Sequence, residues 1–271
     1  MKTRIDDSFA MLEARGRTGL IAYLTVGFPD VETTLRLAPA IVEAGVDMIE
    51  LGVPFSDPLA DGATIQRSSQ VALRNGVTLQ TCLEVCGTLR KELPLVPLLL
   101  MGYYNPILAY GIDAFAREAV ARGADGVIVP DLPPEEAAPL VGASRASGLE
   151  TIFLLAPTST DRRMEAVGRV ASGFIYCVSV AGTTGAREQL PPDLAIFLDR
   201  VRRHTSLPLA VGFGVSDAAH VREIGRRAEA AIVGSALIDA IAKGSSGDQI
   251  ERASRFVAGL ARGADNRVRS R

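Results

Sequence analysis

Two carboxylates, one of them placed where a carboxylate is costly, are the residues most able to do chemistry in this chain. Glu50 sits inside the apolar run Met48-Ile49-Glu50-Leu51-Gly52, where burying an unpaired charge is expensive. Asp61 follows on a loop stiffened by Pro54 and Pro58, which also carries Asp57 between Ser56 and Pro58. A strand-borne acid followed eleven residues on by a second acid on a stiffened loop is what carboxylate acid–base chemistry needs. Each has a plainer reading. Glu50 could be a structural acid paired with a lysine or arginine, and Asp61 could cap a helix beginning near Gly62, since Asp is a favoured N-cap. Strand interiors rarely hold an acid without cause, which favours chemistry for Glu50. For Asp61 the residues alone leave both roles open.

Such acids need a scaffold, and the chain supplies a regular one. Short apolar runs at Leu20–Val26, Asp47–Gly52, Leu95–Met101, Gly126–Val129, Thr151–Leu155, Gly173–Val178, Pro208–Gly212 and Ala230–Gly234 read as eight strands. Most lack polar alternation, as expected for parallel strands covered on both faces. Amphipathic stretches between them, among them Val31–Ala44, Thr78–Leu93, Asp113–Arg122, Glu135–Ser147 and Asp193–His204, read as helices. A short repeat supports this order: Glu43-Ala44-Gly45-Val46-Asp47 and Ala121-Arg122-Gly123-Ala124-Asp125 both put glycine where a helix stops before a strand. The expected fold is α/β, a single closed (β/α)8 barrel over residues 1–262, followed by a frayed basic tail at 263–271. A doubly wound open sheet is the alternative, but no GxGxxG follows the first strand.

In such a barrel chemistry belongs at the C-terminal ends of the strands, which is where Glu50 and Asp61 fall. The last three strand ends carry a second signal. Gly182-Thr183-Thr184-Gly185, Gly212-Phe213-Gly214 and Gly234-Ser235 are glycine-rich, and Gly234-Ser235 opens a helix. Glycine lets backbone approach a ligand, and a helix N-terminus presents unpaired N–H groups to an anion. Together they predict a phosphate site.

Composition removes other classes of function. A net charge of −2 argues against a nucleic-acid binder. No apolar run is long enough for a membrane span, and the start MKTRIDDSFA lacks the apolar core of a signal peptide. Three cysteines suit a reducing cytoplasm. Cys82 and Cys86 share a predicted helix face and Cys177 lies in a predicted strand, and packing explains them better than a metal or redox pair. His204 and His220, the only histidines, fall on predicted outer helices, so histidine catalysis and a histidine metal site are not expected.

The segment Ile49 to Gln66, IELGVPFSDPLADGATIQ, resembles the signature of the tryptophan synthase alpha chain family. The resemblance extends, in the family's order, to Tyr103-Tyr104-Asn105-Pro106, Val129-Pro130-Asp131-Leu132-Pro133, Ser179 to Gly185 and Gly212 to Ser216. It implies a lyase that cleaves indole-3-glycerol phosphate to indole and glyceraldehyde 3-phosphate in tryptophan biosynthesis. It implies no metal or organic cofactor in this chain, and an α2β2 complex with a beta chain that holds pyridoxal phosphate. The family's catalytic acids map onto Glu50 and Asp61. Substrate-binding positions map onto Tyr176, Thr184, Gly185, Gly214, Gly234 and Ser235, with Thr184 on a loop that closes over Asp61. Two positions depart from the pattern: Ala63 stands where proline is usual, and Val180 where some members have arginine. The other readings are a free-standing lyase of the same chemistry and a non-catalytic activator of a beta chain.

Overall fold

A computed structural model describes residues 2–178, 193–212, 214–244 and 247–265. The strands are β1 (Gly19–Thr25), β2 (Met48–Gly52), β3 (Leu98–Met101), β4 (Gly126–Ile128), β5 (Glu150–Leu155), β6 (Ile175–Val178), β7 (Leu209–Gly212) and β8 (Ala230–Val233). They pair in parallel in sequence order, and β1 closes on β8. The described helices are α1 (Arg4–Ala14), α2 (Val31–Glu43), α3 (Ala63–Arg74), α4 (Leu79–Glu92), α5 (Tyr104–Tyr110), α6 (Ile112–Ala121), α7 (Ala138–Ser147), α8 (Asp161–Val170), α9 (Leu194–Arg202), α10 (Ala218–Gly225), α11 (Ser235–Ala242) and α12 (Gln249–Ala261). The expected (β/α)8 barrel is therefore the fold.

Each strand is apolar on both faces because each face is covered. Ile21, Met48, Leu99, Ile128, Ile152, Tyr176, Ala210 and Ile232 fill the barrel, while Leu20, Ile49, Leu98, Val127, Leu209 and Ala231 pack in the outer layer beneath the helices. Helix α1 stoppers the N-terminal end with Ile5, Phe9 and Leu12, and Phe9 meets Phe174 edge-on at 5.9 Å. Glu50 alternates with Met48 along β2, so it shares the interior face.

One local device recurs around the N-terminal rim. Just before β2, β4, β6 and β8, a polar residue exchanges two bonds with the preceding strand. Asp47, Asp125 and Glu229 accept from the backbone N–H groups of Leu20, Leu98 and Leu209 at 2.8, 2.8 and 2.7 Å. Their own N–H groups donate back to the carbonyls of the same three residues. Ser172 does the same with Thr151. The repeat seen in the sequence is two copies of this device, with Gly45 and Gly123 at φ of 120° and 85° turning the chain into it.

Several expected boundaries move. The third strand begins at Leu98 rather than Leu95: Leu95 is exposed, Pro97 has no N–H to donate, and Arg90 holds the carbonyl of Val96. Helix α7 starts at Ala138, three residues later than expected, and His204 falls in the turn after α9 rather than on it. Gly263 to Asp265 are not a frayed tail. Ala264 is fully buried and its carbonyl accepts from Thr18 N–H at 2.9 Å. Residues 266–271 lie outside the described ones.

Candidate active site

Glu50 is the most anomalous group in the molecule. It is fully buried, and among the described residues neither carboxyl oxygen has a hydrogen-bond partner. Its neighbours by register are Tyr23 on β1 and Leu99 on β3. With no cation or donor to offset the loss of water, burial pushes its pKa up to about 8. The plainer reading of Glu50, as half of an ion pair, does not hold here.

Above Glu50 a cavity of about 420 Å³ opens at the C-terminal ends of the strands. Asp61 lines it, as do Tyr23 and Tyr176 and the apolar groups Ile65, Met101 and Leu154. Glu50 is not part of the cavity surface and lies sealed below it. The charges of Glu50 and Asp61 both act on Tyr176, which places the three in one electrostatic compartment.

Asp61 is held differently from Glu50. Burial raises its pKa to about 6, against a lowering by a hydrogen bond from Tyr103. Tyr103 Oη also accepts from Ala60 N–H at 3.0 Å, and its ring stacks on Phe55 at 5.1 Å. The loop bearing Asp61 is thus fastened to the end of β3 by one side chain. The helix-cap alternative for Asp61 fails: Gly62 is the N-cap of α3, and no side chain caps it. Ala63 is the first residue of α3, the position proline best suits.

The far wall carries the glycine signal. Gly214 lines the cavity at φ +74°, where a side chain is disfavoured. Gly234, Ser235 and Ala236 also line it, and α11 begins there without a side-chain cap, so that the N–H groups of Ser235 and Ala236 have no partner within the helix. Gly212 serves another purpose: a Cβ there would stand 2.9 Å from the ring of Tyr176. Thr184, Gly185 and Val180 lie outside the described residues, as does Phe213.

The tryptophan synthase alpha chain family model matches residues 9–265. Among similar proteins, the tryptophan synthase alpha chain of Roseiflexus castenholzii is 55% identical over 255 residues, covering 94% of this chain and 98% of that one. That of Dehalococcoides mccartyi is 48% identical over 263 residues, covering 97% and 100%. This chain belongs to the tryptophan synthase alpha chain family. Solved structures agree. Tryptophan synthase subunit alpha from Legionella pneumophila superposes with a TM-score of 0.91 at 35% identity, covering 97% of this chain and 98% of that one. A tryptophan synthase structure from Mycobacterium tuberculosis does so with 0.90 at 38%, covering 99% and 100%.

As a member of this family, the chain is a carbon–carbon lyase of tryptophan biosynthesis that cleaves indole-3-glycerol phosphate. Among the described residues, no helix is long and apolar enough to cross a membrane, and no cluster of three His, Cys, Asp or Glu side chains could hold a metal. From the sequence Gly52 is only the end of a strand, and Tyr23 carries no assigned role. A Cβ on Gly52 would come within 2.1 Å of Tyr23 Oη, so this glycine exists to make room for that ring. A glycine ending a strand beside an acid was the available signal.

Proposed function

We propose that Glu50 and Asp61 divide the proton work of indole-3-glycerol phosphate cleavage through opposite protonation states. The observation that carries this is the difference in their surroundings. With a pKa of about 8, Glu50 holds its proton at neutral pH; with a pKa of about 6, Asp61 has lost its own. Two acids pushed apart by their environments are suited to acid and anion roles in one site.

In this scheme Glu50 rotates up about its side-chain bonds and gives its proton to carbon 3 of the indole ring. Positive charge develops on the ring nitrogen, and Asp61 accepts the hydrogen bond from that N–H. The Glu50 carboxylate then takes the proton of the chain hydroxyl next to the ring. That C–O becomes the aldehyde carbonyl, the bond to the ring breaks, and its electrons return to the ring as indole leaves. Glu50 ends protonated, as it began. The chain's own acids supply every proton, so no metal or organic cofactor is assigned to it.

The phosphate is assigned to the N–H groups at Gly234 and Ser235 with the Gly214 turn, and the indole to the walls formed by Tyr176 and Leu154. Thr184 and Gly185 are assigned to the loop that closes the site, on the family pattern alone. A beta chain is assigned to the same rim as partner, in an α2β2 assembly. Leu59, 86% exposed beside Asp61, and Leu108 on α5 offer apolar contact there. A cytoplasmic setting suits the three free, buried cysteines. The test is indole release from indole-3-glycerol phosphate with and without a beta chain: measurable release that the beta chain stimulates supports the reading, and no release in either case removes it.

A further inference from the structure

Tyr23 carries a hydroxyl that the acid–base scheme does not use. It lines the cavity, with the charge of Asp61 and then that of Glu50 acting on it. Its Cβ lies 3.7 Å from where a Cβ on Gly234 would stand, and its Oη occupies the space left by Gly52. The side chain therefore runs along the wall from the end of β8, where the phosphate is assigned, to the end of β2, where the acids are.

The wall behind it leaves its proton free. Ser68 Oγ donates to the carbonyl of Ile65 at 2.8 Å and lies 2.7 Å from Thr25 Oγ1. Thr25 Oγ1 in turn donates to Tyr23 Oη at 3.4 Å. Each hydroxyl has one proton. Thr25 accepts from Ser68, whose proton is shared with the Ile65 carbonyl, and gives its own to the phenol oxygen. The phenol is then anchored weakly from behind and retains its own proton for the cavity. A buried hydroxyl without a full partner gains from a ligand that supplies one.

We infer that the Tyr23 hydroxyl binds a hydroxyl of the substrate's three-carbon chain, and so helps select a glycerol over a plain alkyl linker. This rests on indole-3-glycerol phosphate being the substrate. A ligand reaching from the phosphate loop to the acids must pass Tyr23 Oη.

The test compares two ligands in the full-length chain and in Tyr23→Phe, which keeps the ring over Gly52. For indole-3-glycerol phosphate, kcat/KM is expected to fall about three- to tenfold, mostly through KM, the worth of one neutral hydrogen bond. Indole-3-propanol phosphate, which lacks both chain hydroxyls, is expected to bind the two proteins within about twofold of each other, since no hydrogen bond is lost. An unchanged kcat/KM, or equal losses for both ligands, would overturn the assignment. Failure of the wild-type chain to cleave the substrate at all would instead overturn the reading beneath it, and the inference with it.

Discussion

The two ends of this barrel use the same residue types to opposite effect. At the N-terminal rim Asp47, Asp125 and Glu229 are each bound by a strand N–H and by at least one arginine. Arg17 reaches Asp47 at 2.5 Å, Arg90 and Arg4 reach Asp125 at 2.6 and 2.8 Å, and Arg202 pairs with Glu229. At the C-terminal mouth, among the described residues, Glu50 has no partner and the Asp61 carboxyl has only the Tyr103 hydroxyl. Burial raises Asp47 as it raises Glu50, but Arg17 and the Leu20 N–H pull Asp47 back down, whereas nothing offsets burial at Glu50. Acids that fasten the barrel are satisfied in the folded chain. The acids assigned to chemistry are left for a substrate to satisfy, at a cost in stability that the rest of the core absorbs.

The sharpest way to break this contrast is Glu50→Gln. The amide keeps the shape but can neither give nor accept the proton. Indole release is expected to fall at the upper end of the roughly 10²–10⁴-fold typical of general acid–base groups, with the fold intact. Near-normal turnover by a folded variant would remove Glu50 from the mechanism. The same variant tests stability. A carboxyl whose folded pKa is raised to about 8 from 4.5 retains a proton that the unfolded chain has lost, so wild-type stability declines as pH rises between those values. Glu50→Gln lacks that titration. Denaturant melts should show the variant gaining on the wild type from about pH 4.5 to about pH 8. Parallel pH dependences would contradict the unpaired state of this acid.

At the other end, Asp125→Ala should do the reverse. It leaves the largely buried Arg90 without its anion, and breaking such a pair typically costs about 3–5 kcal/mol. Stability should drop by that order, while the folded fraction keeps its kcat. A lost kcat in still-folded protein would mean the two rims are not separable.

Tyr103→Phe probes the intermediate case of Asp61. Removing the hydrogen bond that lowers this acid should move the acid limb of the rate profile up by about one pH unit, the worth of about 1.4 kcal/mol. An unmoved limb would assign it to another group. The smallest effect is expected at the phosphate wall. A Cβ at Gly234 fits at 3.7 Å from Tyr23 Cβ, so only a branched side chain should intrude. Gly234→Val should weaken binding of glycerol 3-phosphate by roughly two- to fivefold, corresponding to about 0.3–1 kcal/mol at a helix N-terminus. Indole binding should stay unchanged, and equal losses would place the phosphate elsewhere.

What the sequence made legible follows from how local each signal is. The repeat at Gly45 and Gly123 was readable because a glycine turning a helix into a strand needs only its neighbours, whereas the clamps that Asp47 and Asp125 form depend on strands and arginines far along the chain. Glu50 was readable because an acid in an apolar strand is anomalous wherever the strand lies. Asp61 was not resolved from a helix cap, since that depends on where α3 begins. Gly52, Gly212 and Tyr23 were not readable as a set. The space each glycine leaves is filled by a ring from an adjacent strand, and only the register of β1 on β2 and of β6 on β7 brings them together.

The central claim, that one acid is protonated and the other ionised in the working enzyme, is tested most directly by the pH dependence of kcat/KM for indole release. The account gives a bell, rising through about pH 6 as Asp61 ionises and falling through about pH 8 as Glu50 loses its proton. A rate that stays level or keeps rising well above pH 8 would contradict it, because an ionised Glu50 has no proton to give to the ring.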